Sequence, residues 1–453
     1  MKSKLVIFNF LLSIALYILS PNYYSFSFIL CIFVLYVCQI CLFYKIKKKD
    51  TYWEFDTIFL FVFTIASFAY PLLFYSDSDP FLPFKNLSFN VNVISKAVAG
   101  SYVAVSSYIL GSICRKKIKK KTFSSSHALN TRPLVFAVIL FSIAFILSGG
   151  IEFFQSQYNN DMEKIQNSES GLMFQIMELL MVLSISSVAI EFYNKVNFPN
   201  YKFNKPLIFT ILIISVAMLY AGNRTLAMRL MLPILFLYSF YYYKISKLKF
   251  MLIAFVGVVG MTLVGFLRTG LDESDIILNF DNILRDIVIP ARNNYLVYEV
   301  VDLYGFSYGS NLLLGLTGII PSFPRLLSLM GVDLYILGSA EFFTVYTQSS
   351  VDYKLPGLGT MLQADAYYAL GILGVIFVFY TIGYISDKYF KELKNGNYYS
   401  YVIYSCLMAN SIFWIRGAST LPVKSILWCI LILYIYKSIK IKNEKNTFLH
   451  SRS

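Results

Sequence analysis

The chain has 453 residues, of which 57% are hydrophobic and 14% are charged, and its formal net charge is +14. A mean hydropathy of +0.62 and recurring long apolar runs exclude an ordinary soluble domain. The lysines cluster beside apolar runs, as at 45–49 and 115–121, which is typical of membrane topology signals and not of a nucleic-acid surface. We therefore expect membrane lipids, and no nucleic acid, among its partners.

The apolar runs predict about 12 transmembrane helices, because about 20 apolar residues are needed to cross a bilayer. The first run resembles a secretory signal peptide but lacks a clear small-x-small cleavage site, so we expect it to remain as a helix. The predicted fold is an all-α polytopic integral membrane protein with a single transmembrane domain over 1–453. The predicted spans are 5–20, 25–44, 55–75, 94–113, 133–149, 172–193, 206–221, 226–243, 250–267, 361–385, 399–415 and 420–436.

The distribution of basic residues predicts the orientation of these spans. Alternate threading places 27 of the 39 lysines and arginines on the side of Met1. Because cytoplasmic connections are enriched in basic residues, we expect both termini to be cytoplasmic. Twelve basic residues then remain on the outer side, which the same rule does not explain.

One outer connection, 268–360, is 93 residues long. Its apolar run at 312–320 is followed by Pro321-Ser322-Phe323-Pro324, which predicts helices on the outer membrane face that form a lid over a cavity. The alternative is a packed extracytoplasmic subdomain without a site. None of the six cysteines lies in this connection, so we expect no disulfide framework.

Cations lie at the outer ends of several predicted spans: Arg224, Arg268, Arg416 and Lys424. Arg229 follows Arg224 by five residues, about 7.5 Å deeper along a helix. A guanidinium group stays charged and matches phosphate oxygens, so these cations predict a diphosphate site at the outer headgroup level. The alternative is that they extend to lipid headgroups or pair with acids of the connection. The long connection adds Arg285, Arg292 and Arg325.

Two carboxylates are candidates for proton transfer. Glu178 lies inside the sixth predicted span, where a buried carboxyl should pair with a cation or become protonated. It is a candidate general base or, as we favour, a counter-ion that holds an arginine in place. Asp365 begins the tenth span, where an acid also suits a helix N-terminus. The pair Asp77 and Asp79 in an outer connection is more typical of a solvated loop.

Several chemistries are excluded by the residues present. The only histidines are His127, in a predicted cytoplasmic loop, and His450, in the tail, so an outer histidine centre is excluded. The sequence has no glycine-rich loop with a lysine, which would predict a nucleotide motor, and no Cys/His spacing that would predict a metal site. We expect no cofactor.

Several short motifs follow one another in the outer half, over 207–385. They are Gly222-Asn223-Arg224, Phe266-Leu267-Arg268, Pro321-Ser322-Phe323-Pro324-Arg325, Gly357-Leu358-Gly359-Thr360, Ala364-Asp365-Ala366-Tyr367 and Gly371-Ile372-Leu373-Gly374. In order, spacing and topology they resemble the Wzy family, the polymerases of O-antigen and other oligosaccharide repeat units. Many members of that family have Glu where this chain has Asp365.

The resemblance implies a glycosyltransferase of the bacterial inner membrane that uses an undecaprenyl-diphosphate-linked oligosaccharide. A hydroxyl of an incoming repeat would attack the anomeric carbon of the growing chain, and undecaprenyl diphosphate would leave. Arg224 and Arg268 would stabilise the leaving charge, and Glu178 or Asp365 would accept the proton. The diphosphate would also be bound by Arg229, Arg325, Arg416 and Lys424. A chain-length regulator is a candidate partner.

Three other functions are weighed against the polymerase. A lipid-linked oligosaccharide flippase is a transporter whose cations should line a path through both leaflets, whereas here they gather on the outer side. An O-antigen ligase would need an outer histidine, although another lipid-linked-sugar glycosyltransferase would not. A scaffold of the envelope would explain neither the arginines nor the motifs.

Overall fold

A computed structural model describes residues 2–49, 51–75, 89–113, 128–158, 169–269, 288–317, 319–320, 323–331, 338–340, 342–343 and 359–450. Within these ranges the regular structure is entirely helical. The helices are α1 (Lys2–Ile18), α2 (Phe26–Lys47), α3 (Phe55–Ala69), α4 (Ile94–Ile113), α5 (Arg132–Leu147), α6 (Gly150–Tyr158), α7 (Glu169–Asn197), α8 (Lys205–Tyr220), α9 (Arg224–Tyr241), α10 (Lys247–Thr269), α11 (Arg292–Tyr304), α12 (Ser310–Thr317), α13 (Phe323–Leu329), α14 (Leu362–Lys394), α15 (Tyr398–Asn410) and α16 (Leu421–His450).

All twelve segments predicted as spans are helical, as α1–α5, α7–α10 and α14–α16. Among the described residues, five helical stretches are long and apolar enough to cross a membrane: Phe26–Lys47, Phe55–Phe74, Val91–Ile113, Met173–Asn197 and Leu362–Lys394. Shorter apolar helices account for α1, α5, α8 and the first part of α16. The helical fold class is thus confirmed for the described residues, whereas the number of spans and their orientation stay predictions.

The outward faces of several helices are apolar, as in α5. Phe136, Leu140, Ile143 and Leu147 recur at helical spacing on one face, and Leu147 is 81% exposed. A soluble protein rarely exposes so continuous an apolar surface. This face therefore suits a lipid environment, as expected for a membrane protein.

Contacts between helices mark two ends of the bundle within the described residues. At the first end, Tyr17 of α1 contacts Tyr367 of α14, and Ile415 beyond α15 accepts a hydrogen bond from Leu362 N. At the other end, Lys47 of α2 contacts Asp387 of α14. We call the first end, which carries the connection 268–360, the loop end. The second, which carries Lys47, Lys49, Lys391 and Lys394, is the lysine end.

Helices α4 and α14 pack at backbone distance. A Cβ atom on Gly111 of α4 would lie 2.1 Å from the carbonyl oxygen of Tyr380, and one on Gly383 of α14 would lie 2.1 Å from that of Tyr108. Only glycine fits at either position, because neither backbone can give way easily. The close approach of helices through small residues is a common packing mode in membranes, and here it fixes α14 against the N-terminal helices.

Helix α14 is kinked near the loop end, where Leu370 and Gly371 leave the helical conformation. Gly371 has a φ of 61° and a ψ of −145°, which favours glycine. The kink interrupts the helical hydrogen bonds, and the carbonyl of Tyr368 instead accepts one from Ser307 N at 2.9 Å. The tenth predicted span is therefore two helical segments, and the connection 268–360 packs on the first.

The second half of the bundle surrounds α7. This helix contacts α5, α9, α15 and α16, and α9 in turn contacts α8 and α15. The long connection reaches this half as well, since Trp428 of α16 donates a hydrogen bond to the carbonyl of Ile319 at 2.9 Å. The described part of 268–360 is thus packed on both halves at the loop end and is not a flexible spacer.

Candidate anion site at the loop end

The carboxylate of Asp365 is the centre of a buried hydrogen-bond network. Its Oδ1 accepts hydrogen bonds from Asn311 Nδ2 at 2.8 Å and from Ser339 Oγ at 2.6 Å. Its Oδ2 accepts one from the backbone N–H of Ser419 at 2.7 Å. Asn311 and Ser339 belong to the long connection, and Ser419 lies in the turn between α15 and α16. One side chain therefore joins the long connection, α14 and this turn.

This environment bears directly on the predicted roles of Asp365. The residue is only 1% exposed, and both of its carboxylate oxygens are occupied by protein donors. A general base must lie within hydrogen-bond reach of the proton that it removes. The geometry suits a positioning residue that holds the loop end together, and it leaves the proposed proton transfer to Asp365 as an untested prediction.

Glu178 forms a hydrogen-bonded ion pair with Lys424, which joins α7 to α16 at the loop end. The cation paired with Glu178 is thus a lysine and not an arginine, and the roles predicted for Glu178 stay predictions. The side chains of Glu178 and Lys424 are 41% and 33% exposed. Neither side chain is enclosed by protein, so a ligand can reach both partners of this ion pair.

Arg229 lies beside this ion pair on α9. Its guanidinium carbon is 5.4 Å from the centroid of the Phe413 ring, in a cation–π contact, and the Glu178 carboxylate attracts it. Its Nε is buried and has no hydrogen-bond partner among the described residues. An unsatisfied buried donor is costly, and more so on a charged group. The Nε of Arg229 is thus a donor poised for an anionic acceptor.

The turn between α15 and α16 connects these features. Phe413 of the turn packs on Arg229, Ser419 bonds to Asp365, and Lys424 follows in the first turns of α16. The structure therefore brings together three of the predicted site residues, Glu178, Arg229 and Lys424. A fourth, Asp365, holds the neighbouring turn through Ser419.

The remaining predicted cations lie on α9, α10, α13 and the turn after α15. Arg224 is half-buried as the first residue of α9, whose N-cap Asn223 accepts a hydrogen bond from Leu226 N at 3.1 Å. Arg416 is exposed in the turn that follows α15. Arg268 lies in α10 and Arg325 in α13, and the side chains of both lie outside the described part of the structure.

Arg292 is the most buried arginine of the described chain, at 1% exposure, and it begins α11. Burial lowers its pKa to about 10, so it still carries its charge at neutral pH. Its neighbour Asn293 donates a hydrogen bond to the carbonyl of Gly359 at 3.1 Å. This part of the long connection is therefore a packed polar core, which a soluble ligand does not reach.

A second group of charges was missed by the sequence analysis. At the lysine end, Lys47 Nζ lies 2.5 Å from Asp56 Oδ2 and 3.4 Å from Asp387 Oδ1. Asp56 Oδ1 accepts further hydrogen bonds from Tyr108 and, at 3.1 Å, from Ser386. This network joins α2, α3, α4 and α14, and its carboxylates are 2% exposed.

A second lysine extends the network. Lys49 Nζ lies 3.4 Å from Glu54 Oε2 and 3.8 Å from Asp56 Oδ2, and it donates to Thr57 Oγ1 at 2.6 Å. Burial raises the pKa of Glu54 and lowers that of Lys49, because the attraction between the two only partly offsets the loss of water. The sequence signal for this network is the pair Glu54 and Asp56 at the start of α3, a few residues after Lys47 and Lys49.

Some predicted features lie outside the described residues. They are Asp77, Asp79, Cys114, His127, Arg285, Pro321, Ser322, Gly357 and Leu358. Within the described chain, no group of three His, Cys, Asp or Glu side chains could hold a metal ion. The described cysteines are free thiols.

Comparisons with known proteins add no relative. No family model, no curated protein and no solved structure matches this chain.

Proposed function

We propose that the chain is a polymerase that joins undecaprenyl-diphosphate-linked oligosaccharide repeat units, releasing undecaprenyl diphosphate. In this proposal it spans the bacterial inner membrane about twelve times, with the lysine end in the cytoplasm and the loop end at the outer leaflet. The resemblance to the Wzy family suggested the activity, and the chemistry of the loop end supports it.

The observation that carries the proposal is the buried Nε of Arg229 without a described partner, beside the accessible ion pair of Glu178 and Lys424. A diphosphate supplies the oxygen acceptors that this donor lacks. It also offers Lys424 a partner of higher charge than a single carboxylate. Both cations would then stabilise the charge that develops on the leaving diphosphate.

The exchange of partners by Lys424 gives Glu178 a role in the same reaction. When Lys424 turns to the diphosphate, the Glu178 carboxylate is released to accept the proton of the attacking hydroxyl. A bond forms between that oxygen and the anomeric carbon, the bond from this carbon to the diphosphate oxygen breaks, and the electron pair leaves with the diphosphate. No metal is needed in this scheme.

Asp365 acts in this proposal through the turn that it holds. Its hydrogen bond to Ser419 N fixes the segment between Phe413 and Lys424, which provides both the ring under Arg229 and the exchangeable lysine. Asp365 is therefore a positioning residue in the proposal. The arginines Arg224, Arg268, Arg325 and Arg416 remain candidates for further contacts with the diphosphate.

One observation favours a second candidate, a lipid-linked oligosaccharide transporter. The buried charges at the lysine end, centred on Asp56, are of the kind that couple transport to ions. Against this reading, these charges lie between α2, α3, α4 and α14, whereas the anion site lies between α7, α9 and α16. The two groups therefore occupy different halves of the bundle and do not line one path.

The deciding experiment is a gel of surface polysaccharide from a strain that lacks this chain. We expect core lipid with a single repeat and no ladder. Loss of every repeat, with lipid-linked oligosaccharide retained inside, would indicate the transporter instead, and an unchanged ladder would exclude both. We also expect Arg224→Ala and Arg268→Ala to abolish the ladder on complementation at normal protein abundance, whereas Arg132→Ala at the lysine end restores it.

A further inference from the structure

A cavity of about 300 Å³ opens at the lysine end, between the ends of α2, α4 and α14. It is distant from the anion site of the loop end, and the proposed polymerase does not use it. Its lining is unusually rich in cations: Lys47, Lys48, Lys49, Lys391 and Lys394.

Two carboxylates also line this cavity, and they position the lysines. Asp387 lies 3.4 Å from Lys47 and 2.5 Å from Lys391, and Glu54 lies 3.4 Å from Lys49. Five lysines against two carboxylates leave a formal excess of three positive charges on the lining. Asp56, which pairs with Lys47 from behind, reduces this excess to two.

The arrangement differs from an ordinary set of topology-determining lysines. Such lysines extend into water or to headgroups, whereas the Lys49 side chain is only 2% exposed and that of Lys47 only 13%. Burying a cation beside a cavity is costly unless anionic groups surround it. The internal carboxylates meet part of that requirement, and the remaining positive charge faces the cavity.

We propose that this cavity binds a phosphate-bearing anion. The chemistry is that of the headgroup of an anionic phospholipid in the adjacent leaflet, or of a small soluble phosphate. The ammonium group of lysine binds phosphate as a point charge, and basic pockets between membrane helices on the cytoplasmic side hold anionic headgroups. This inference is independent of the proposed polymerase.

The test compares two triple variants of equal net charge in the purified full-length protein. Lys48→Gln/Lys391→Gln/Lys394→Gln removes lysines of the cavity rim and leaves the buried Lys47 and Lys49 in place. As the matched control, Lys45→Gln/Lys244→Gln/Lys388→Gln removes three lysines near the same end that do not line the cavity.

Two probes identify the source of the phosphate. Native mass spectrometry measures the binding of phosphatidylglycerol against phosphatidylcholine, and thermal unfolding measures stabilisation by inorganic phosphate against chloride at equal ionic strength. We expect the cavity variant to bind at least one probe at least about tenfold more weakly, because three cations next to the bound anion are lost, and the control to bind it normally.

The pattern of results decides between the sources and the proposal. Selective loss of phosphatidylglycerol binding assigns the lipid, and selective loss of stabilisation by phosphate assigns a soluble ligand. Equal losses in both triple variants would mean diffuse attraction to the basic surface and would overturn the proposal. Normal binding of both probes by a fully folded cavity variant would also overturn the proposal.

Discussion

The two ends of the bundle treat their charges in opposite ways. At the lysine end, Lys47 and Asp56 are deeply buried and satisfied by each other and by Tyr108 and Ser386. At the loop end, the ion pair of Glu178 and Lys424 is only partly enclosed by protein. Beside it, Arg229 retains a buried donor without a described partner. The closed Lys47–Asp56 pair behind the lysine-end cavity suits a structural task, whereas the incomplete set around Arg229 suits a ligand.

The difference also separates stability from activity. Removing one partner of a buried, satisfied pair leaves an uncompensated charge, and the fold bears the cost. Removing Arg229 should cost the fold less, because its Nε has no described partner and the fold loses only its contacts with Phe413 and Glu178. Substitutions at the two ends should therefore have opposite profiles, and the following predictions test that contrast.

The largest expected effect is on stability at the lysine end. Asp56→Asn removes the charge that compensates Lys47, and we expect a loss of about 3–5 kcal/mol in the free energy of unfolding. Glu178→Gln, at the exposed pair, should cost less than about 1 kcal/mol. Chemical or thermal unfolding of both purified variants provides the measurement. Equal destabilisation by the two would remove the distinction between the ends.

The next effect is on activity at the loop end. Arg229→Met should lower polymer synthesis by at least about 100-fold, the cost of removing one preorganised donor to a developing anion. Its thermal midpoint should equal or exceed that of the wild type, because a buried unsatisfied donor is removed. The polysaccharide ladder and the unfolding curve are measured on the same variant, with Arg132→Met as control. Normal polymer, or a fold as unstable as Asp56→Asn, would exclude Arg229 from the proposed anion site.

The sequence predicted the helices well because each long apolar run has to satisfy its own backbone hydrogen bonds in a membrane. It did not predict the kink in α14, since hydropathy is continuous through Gly371 and only the backbone conformation reveals the break. It did assign Gly371 to a motif, and the structure provides a physical reason for that glycine.

The site was predicted in part. Arg229, Glu178 and Lys424 were recognised because charges at membrane depth are rare, but their juxtaposition depends on the packing of α7, α9 and α16. The partners of Asp365 could not be found, because Asn311 lies 54 residues away from it in the chain.

The lysine end was missed for a different reason. Its lysines are fully accounted for as topology signals, and the sequence does not reveal their partners. Glu54 and Asp56 lie at the edge of an apolar run, where a carboxylate is itself a sign of a buried ion pair. The general lesson is that one sufficient explanation for a charge does not exclude a second role.

A smaller effect tests the close packing of α4 on α14, the helices that run between the two ends. Gly383→Ala places a Cβ atom 2.1 Å from the carbonyl oxygen of Tyr108, and separating α4 from α14 should cost about 1–3 kcal/mol. Gly257→Ala in α10 is the matched control, since no atom lies within 4 Å of its new Cβ. Replacing that helical glycine should be neutral or stabilising, by up to about 1 kcal/mol. A Gly383 variant as stable as the Gly257 variant would contradict the close packing of α4 on α14.

The smallest expected effect is a pH dependence at the lysine end. Burial raises the pKa of Glu54, and Asp56 raises it further, while Lys47, Lys49 and Lys394 lower it. The folded protein therefore holds this proton more tightly than the unfolded chain does. The resulting stabilisation is complete below the ordinary pKa of glutamate, about 4.3, and is lost as the pH rises through the raised value.

Glu54→Gln imitates the protonated side chain and should remove this dependence. We expect its thermal midpoint, relative to the wild type, to be higher at pH 8 than at pH 5, because only the wild type is then forced to bury the carboxylate. Glu152→Gln, an exposed acid at the loop end, should show no such change between the two pH values. If the Glu54 variant instead loses stability relative to the wild type as the pH rises, the attraction of the lysines exceeds the cost of burial. The closed network at the lysine end would then hold Glu54 as an anion throughout.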